Sequence, residues 1–168
     1  MKKSNIFNWI VLAISVAINI FIIVSAVTNG DSSAAQSGNF SRFLATIINA
    51  FSPNAINDGN FESFALVNRK LFGHFGLFAV DGLTTSLAIF LFLKNSKCDR
   101  ISIVWGGSLV LGLIVASISE LFQIFTPGRY GTWGDIGIDF AGYTLGTAVI
   151  FAILLFFNFT NYFSDKKR

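Results

Sequence analysis

From Glu120 to Gly146 the chain reads ELFQIFTPGRYGTWGDIGIDFAGYTLG, which places Glu120, Gln123, Arg129, Asp135 and Asp139 between two long apolar runs. His74 and Asp81 interrupt another apolar run upstream. An ionisable group at the centre of a bilayer costs about 2.5–3.5 kcal/mol on insertion scales, and less near an interface. Folding apolar helices requires no such cost, so these residues are the candidates for function. Their types allow three kinds of chemistry. Glu120, Asp139 or His74 could serve as a general acid or base. Arg129, with Arg69 and Lys70, could neutralise a phosphate, a task the forked guanidinium does well. His74, Glu120, Asp135 and Asp139 could ligate a metal, but no spacing as specific as HExxH marks such a site, so neither a metal nor a cofactor is expected. No nucleophile stands beside an obvious base, which favours binding over catalysis. The plain alternative is that these groups only lock helix ends together.

The elements that must position these residues are membrane helices. Of the 168 residues, 53% are hydrophobic and 12% charged, against about 25% charged in soluble domains. The expected fold is therefore an all-α, polytopic membrane bundle, a single domain over residues 1–168. About 20 helical residues cross a hydrocarbon core, and four segments are long enough: 6–27, 73–93, 101–125 and 136–159. Lys2, Lys3, Lys94, Lys97, Arg100, Lys166, Lys167 and Arg168 fall on one side of these spans; Arg42, Arg69, Lys70 and Arg129 fall on the other. The excess of positive charge puts both termini in the cytoplasm and the polar residues at the outer face of the membrane. The net charge of +3 follows from this asymmetry and carries no nucleic-acid signal. Cys98 is the only cysteine, so there is no disulfide framework. The first segment also resembles a secretory signal ending near Val24-Ser25-Ala26, but its apolar run is long for one, and a retained helix is expected.

Taken in order, Ser15 and Asn19 sit one turn apart in the first segment and could hydrogen-bond a neighbouring helix. The outer region 29–72 begins with Asn29–Gln36 (NGDSSAAQ), which reads as a polar loop. Phe40, Phe43, Leu44, Ile47, Ile48 and Phe51 then follow the spacing of one helical face, predicting a short amphipathic helix in the outer interface, either packed on the bundle or covering the site. Asn54–Asn60 reads as a turn, and 61–71 as a short helix leading into the second span. Arg69 and Lys70 at its end could snorkel to head groups or meet the carboxylates. His74 and Asp81, seven residues apart, should share a face. Residues 94–100 read as a short connector. Ser108, Gly112, Ala116 and Glu120 recur every four residues, and Asp135, Asp139, Gly142 and Gly146 form a matching stripe, so Gly112, Ala116, Gly142 and Gly146 should allow close helix packing beneath a polar cup. The evenly spaced glycines 128, 131, 134 and 137 lack a strand–loop–helix setting for phosphate binding and should instead let the 126–134 turn fold tightly.

The ordered set Arg69-Lys70-Leu71-Phe72-Gly73-His74-Phe75, Glu120-Leu121-Phe122-Gln123, Pro127-Gly128-Arg129, Asp135-Ile136-Gly137-Ile138-Asp139 and Gly142/Gly146 resembles the VanZ-like family. Three departures stand out: Leu77 where the family pattern commonly has an acid, a basic pair one residue further from His74, and Asp139 where Asn is frequent. Asp81 is the candidate substitute for the missing acid. The resemblance implies a small bacterial cell-envelope membrane protein that affects glycopeptide or lipoglycopeptide action, and it supplies no reaction. The combined expectation is a non-enzymatic envelope factor. Its cup would bind a membrane lipid or lipid-linked envelope precursor through Arg69, Lys70, His74, Asp81, Glu120, Gln123, Arg129, Asp135 and Asp139. The rival is an enzyme acting on a lipid phosphate or amide with Glu120 or His74 as acid/base.

Overall fold

The computed structural model describes residues 6–93 and 100–165, so the short connector expected over 94–100 lies outside the described residues except for Arg100. All regular structure among them is helical: α1 (Ile6–Ala26), α2 (Gly30–Phe51), α3 (Phe61–Asn68), a π-helical stretch (Arg69–Gly76), α4 (Leu77–Leu93), α5 (Arg100–Ile124) and α6 (Trp133–Asp165). Four helices are long and apolar enough to cross a membrane: Ile6–Ala26, Phe61–Leu93, Ser102–Ile124 and Trp133–Phe156. The start of α1 lies beside the end of α4, where Trp9 packs on Phe92. The 27–60 segment and the 125–132 turn lie together at the opposite end, called here the site end.

Packing is densest between α4 and α6, and glycine is the cause. A Cβ on Gly146 would stand 2.0 Å from the Ala79 carbonyl oxygen, and one on Gly142 would stand 2.1 Å from that of Phe75. Only hydrogen at these positions lets the backbones approach so closely. Gly112 of α5 makes room for the Tyr143 ring, and Ala116 is fully buried beside it. The period-four stripes on α5 and α6 thus face each other inside the bundle. Deeper in, Ser86 of α4 donates to the Gly82 carbonyl at 2.6 Å and bonds Thr147 of α6 at 3.0 Å. Large apolar side chains such as Ile14, Val110, Leu113 and Phe156 point outward, as a lipid-facing surface requires.

The site end departs from expectation in two ways. First, Asn29–Gln36 does not form a loop. Helix α2 starts at Gly30, with the Asn29 side chain accepting the Asp31 N–H at 2.9 Å. This is the N-cap arrangement for which Asn is favoured, and it carries the polar residues Ser32 and Ser33 into the first turns. The Gly30 N–H donates to the Pro127 carbonyl at 3.0 Å, tying the helix start to the 125–132 turn. The apolar stripe of α2, including Phe43 and Phe51, faces outward, while Ser41 and Ala45 face the protein. Asn68 donates to the Ser41 hydroxyl at 3.4 Å.

Second, the helix entering the second span is not α-helical throughout. Arg69–Gly76 is bonded as a π-helix for eight residues. Such stretches are rare and frequent at functional sites. His74, Phe78, Asp81 and Gly82 are all buried along the inward side of this stretch and α4, but His74 and Asp81 meet different neighbours.

Candidate functional site

Three elements converge at the site end. The π-helical stretch supplies His74, the last turn of α5 supplies Glu120 and Gln123, and the first turns of α6 supply Asp135 and Asp139. His74 Nδ1 lies 3.0 Å from Asp139 Oδ1 and 3.9 Å from Glu120 Oε1. All three residues are buried, Asp139 completely. These residues, some 46 and 65 positions apart in sequence, form one cluster whose candidate ligand atoms all lie within 4.8 Å of each other.

Glu120 is fixed by neutral donors. Gln123 Nε2 donates to Oε1 at 2.6 Å, and the Thr132 backbone N–H donates to Oε2 at 3.0 Å. The turn can approach this closely because Gly131 lies against the Glu120 carbonyl, where a Cβ would stand 2.2 Å from the oxygen. Of the four regularly spaced glycines, Gly131 carries that contact and Gly128 takes the left-handed conformation at φ 72°. Gly134 and Gly137 have no such constraint. The Thr132 hydroxyl accepts the Asp135 N–H at 3.0 Å and donates to the Asp135 carboxylate at 2.9 Å, a reciprocal cap that starts α6. Asp135 also pairs with Lys70 at 3.2 Å.

Among the described residues, Arg129 meets no carboxylate within bonding distance. One terminal nitrogen donates to Gln123 Oε1 at 3.2 Å and the other to the Ser33 hydroxyl of α2, while its Nε is buried without a hydrogen-bond partner. Burial, and then the neighbouring charge of Arg69, hold the guanidinium below its ordinary pKa, with Glu120 opposing. An arginine stays protonated even so. Arg69 and Arg129 both line a cavity of ≈ 350 Å³ that reaches His74, Ser119 and Asp139. Its other wall is apolar, with Phe21, Phe40 and Phe72 among the lining side chains.

The structure therefore brings together Arg69, Lys70, His74, Glu120, Gln123, Arg129, Asp135 and Asp139. Asp81 is not among them. It turns toward α1, where Asn19 donates to its Oδ1 at 2.7 Å and Thr85 at 2.9 Å, with Ser15 bonding Thr85 at 2.7 Å. The Asp81 expected to stand in for an acid beside His74 thus serves a different contact, and Asp139 is the residue that pairs with the imidazole. Ser15 and Asn19 do reach a neighbouring helix. Sequence reasoning missed Ser33, because its segment read as a loop, and Thr132, although T-x-x-D before an apolar run is a readable capping signal.

Fold and site together define a polytopic helical membrane protein with a buried His–carboxylate cluster opening onto a half-apolar cavity. The model of the VanZ/LLP1 family matches residues 9–158, and the chain belongs to that family. No curated protein and no solved structure matches it significantly.

Proposed function

We propose that the cavity binds the anionic head group of a membrane lipid or lipid-linked envelope precursor, and that the protein acts as a non-enzymatic envelope factor. The site end then faces outward and the chain ends face the cytoplasm, following the charge asymmetry of the sequence. The observation that carries this reading is Arg129. Its charge is not consumed by a carboxylate, one of its donors is buried without a partner, and Arg69 stands with it on the same cavity. Two guanidinium groups suit a phosphate, and the aromatic wall suits the first carbons of an acyl or isoprenoid chain. Family membership adds the expectation that the bound species belongs to the envelope chemistry on which glycopeptide and lipoglycopeptide antibiotics act. The test is to identify by mass spectrometry the lipids that co-purify with the wild type and with Arg129→Ala. Loss of an anionic lipid in the variant supports the reading, and identical lipid profiles contradict it.

The enzymatic reading rests on a different observation, the 3.0 Å pairing of His74 with Asp139 beside Glu120 at the cavity. A carboxylate that orients an imidazole is a common acid/base arrangement. Following candidate envelope lipids for products, with Glu120→Gln as control, separates turnover from stoichiometric binding.

A further inference from the structure

The His74–Glu120–Asp139 cluster has a charge imbalance that its protein contacts do not resolve. Two carboxylates are buried side by side, at 2% and 0% exposure. Among the described residues, neither is in contact with a permanently charged cation: Lys70 pairs with Asp135, and Arg129 bonds Gln123 and Ser33. Glu120 receives only neutral donors, from Gln123 and the Thr132 backbone. A protonated His74 would offset only one of the two charges. Asp139 keeps Oδ2 fully buried without a hydrogen-bond partner. The Ser119 hydroxyl stands near both Asp139 and the Ala116 carbonyl, 3.1 Å from the latter, but as a neutral donor it offsets no charge. An unpaired buried carboxylate oxygen is costly, and a bound cation is one of the few ways to satisfy it.

We propose that His74, Glu120 and Asp139 together bind one divalent first-row metal ion of the zinc type. The donor set, one imidazole nitrogen and two carboxylate oxygens, is of the kind that takes such ions. Donors 2.0–2.2 Å from a tetrahedral zinc stand roughly 3.3–3.6 Å from one another. The spacings of 3.0 Å and 3.9 Å from His74 Nδ1 bracket that value, and all three donor atoms lie within 4.8 Å of one another, so small side-chain movements would complete the set. Each donor sits on a different element, and two of those elements are locked together where Gly142 meets the Phe75 carbonyl, one residue from His74. Gln123 and Thr132 hold Glu120 from behind, as outer partners hold metal-ligating carboxylates. Asp135, occupied by Lys70 and Thr132, is not a ligand. Nδ1 must be free of its proton to take the ion: a neutral imidazole then carries the proton on Nε2, and an imidazolium gives one up to solvent.

Three protein ligands leave a coordination position open, and the cavity reaches His74 and Asp139. A phosphate oxygen of the head group can fill it. That last step rests on the lipid-binding reading, whereas the ion itself does not.

The experiment uses the full-length protein in detergent, stripped with chelator and titrated with zinc alone. The wild type should take up one zinc per chain. Cobalt, offered instead, should give a visible absorption band that zinc displaces. Asp139→Asn and His74→Ala should both lose the stoichiometric zinc, while Arg129→Ala keeps it and loses the lipid. A wild type that binds no zinc stoichiometrically overturns the proposal. So does zinc that stays bound in both ligand variants, since that zinc is adventitious. If a variant does not fold, the cobalt band of the wild type decides alone, and its absence counts against the ion. Zinc without lipid leaves the ion standing and removes the head-group reading; lipid without zinc does the reverse.

Discussion

Two buried acids in this bundle, Asp81 and Asp139, are both fully buried and each keeps one carboxylate oxygen without a hydrogen-bond partner. They differ in company and in access. Asp81 is enclosed by uncharged donors from α1 and its own helix, Asn19 and Thr85, and the cavity does not reach it. Asp139 stands against an imidazole, with a second carboxylate close by and a cavity in front. The first acid joins α1 to α4 through its Oδ1. The second belongs to the cluster for which we propose an outside partner. Ionisable groups in a membrane are functional candidates by default, and this contrast shows that neighbours and access sort them better than burial does.

The largest effect should come from the packing that both acids share. Gly146→Ala pushes a methyl into the Ala79 carbonyl, and overpacking of this kind costs about 1–3 kcal/mol. A thermal unfolding scan in detergent should show a clearly lower midpoint, with lipid retention lost as α6 shifts. An unchanged midpoint would mean that α4 and α6 do not pack as described. Next in size, Arg129→Ala should leave the unfolding midpoint near that of the wild type and abolish retention of anionic lipid, since its bonds go to neutral Gln123 and Ser33.

The Asp81 region should respond in the opposite sense. Asp81→Leu removes the acceptor for Asn19 and Thr85 and should cost about 1–3 kcal/mol in stability. Lipid and zinc content should stay at the wild-type level in the folded fraction. If Asp81→Leu empties the cavity while the protein stays folded, the two regions are not separate. The smallest effect belongs to Lys70→Ala. The Lys70 side chain is 56% exposed, and pairs of this kind contribute about 0–1 kcal/mol, so its unfolding midpoint should barely move.

Much of this was legible in the chain. Apolar length gave the four crossings, and the four-residue recurrence of Ser108, Gly112, Ala116 and Glu120 marked an inward face because one α-helical turn is nearly that long. The same logic reached less far at His74 and Asp81. Both are buried at α-helical spacing, yet the pattern could not show that His74 meets α5 and α6 while Asp81 meets α1. The segment Asn29–Gln36 was misread for another reason. Its Ser, Asp and Gly content suits a loop, yet Asn29 caps a helix that also gains from the Pro127 and Arg129 contacts. Those partners are about 100 residues away, beyond what local pattern can show. The pairing of His74 with Asp139 is likewise a product of the close α4–α6 approach, and the sequence shows only that both residues are available.

The central claim is that the His74–Glu120–Asp139 end of the bundle is a site and the Asp81 region is not. The most direct test compares lipids co-purifying with the wild type, Arg129→Ala and Asp81→Asn, using folded protein purified in the same detergent. An anionic lipid present in the wild type and in Asp81→Asn, and absent from Arg129→Ala, is the predicted result. The same lipid in all three, or its loss in Asp81→Asn alone, would contradict the account.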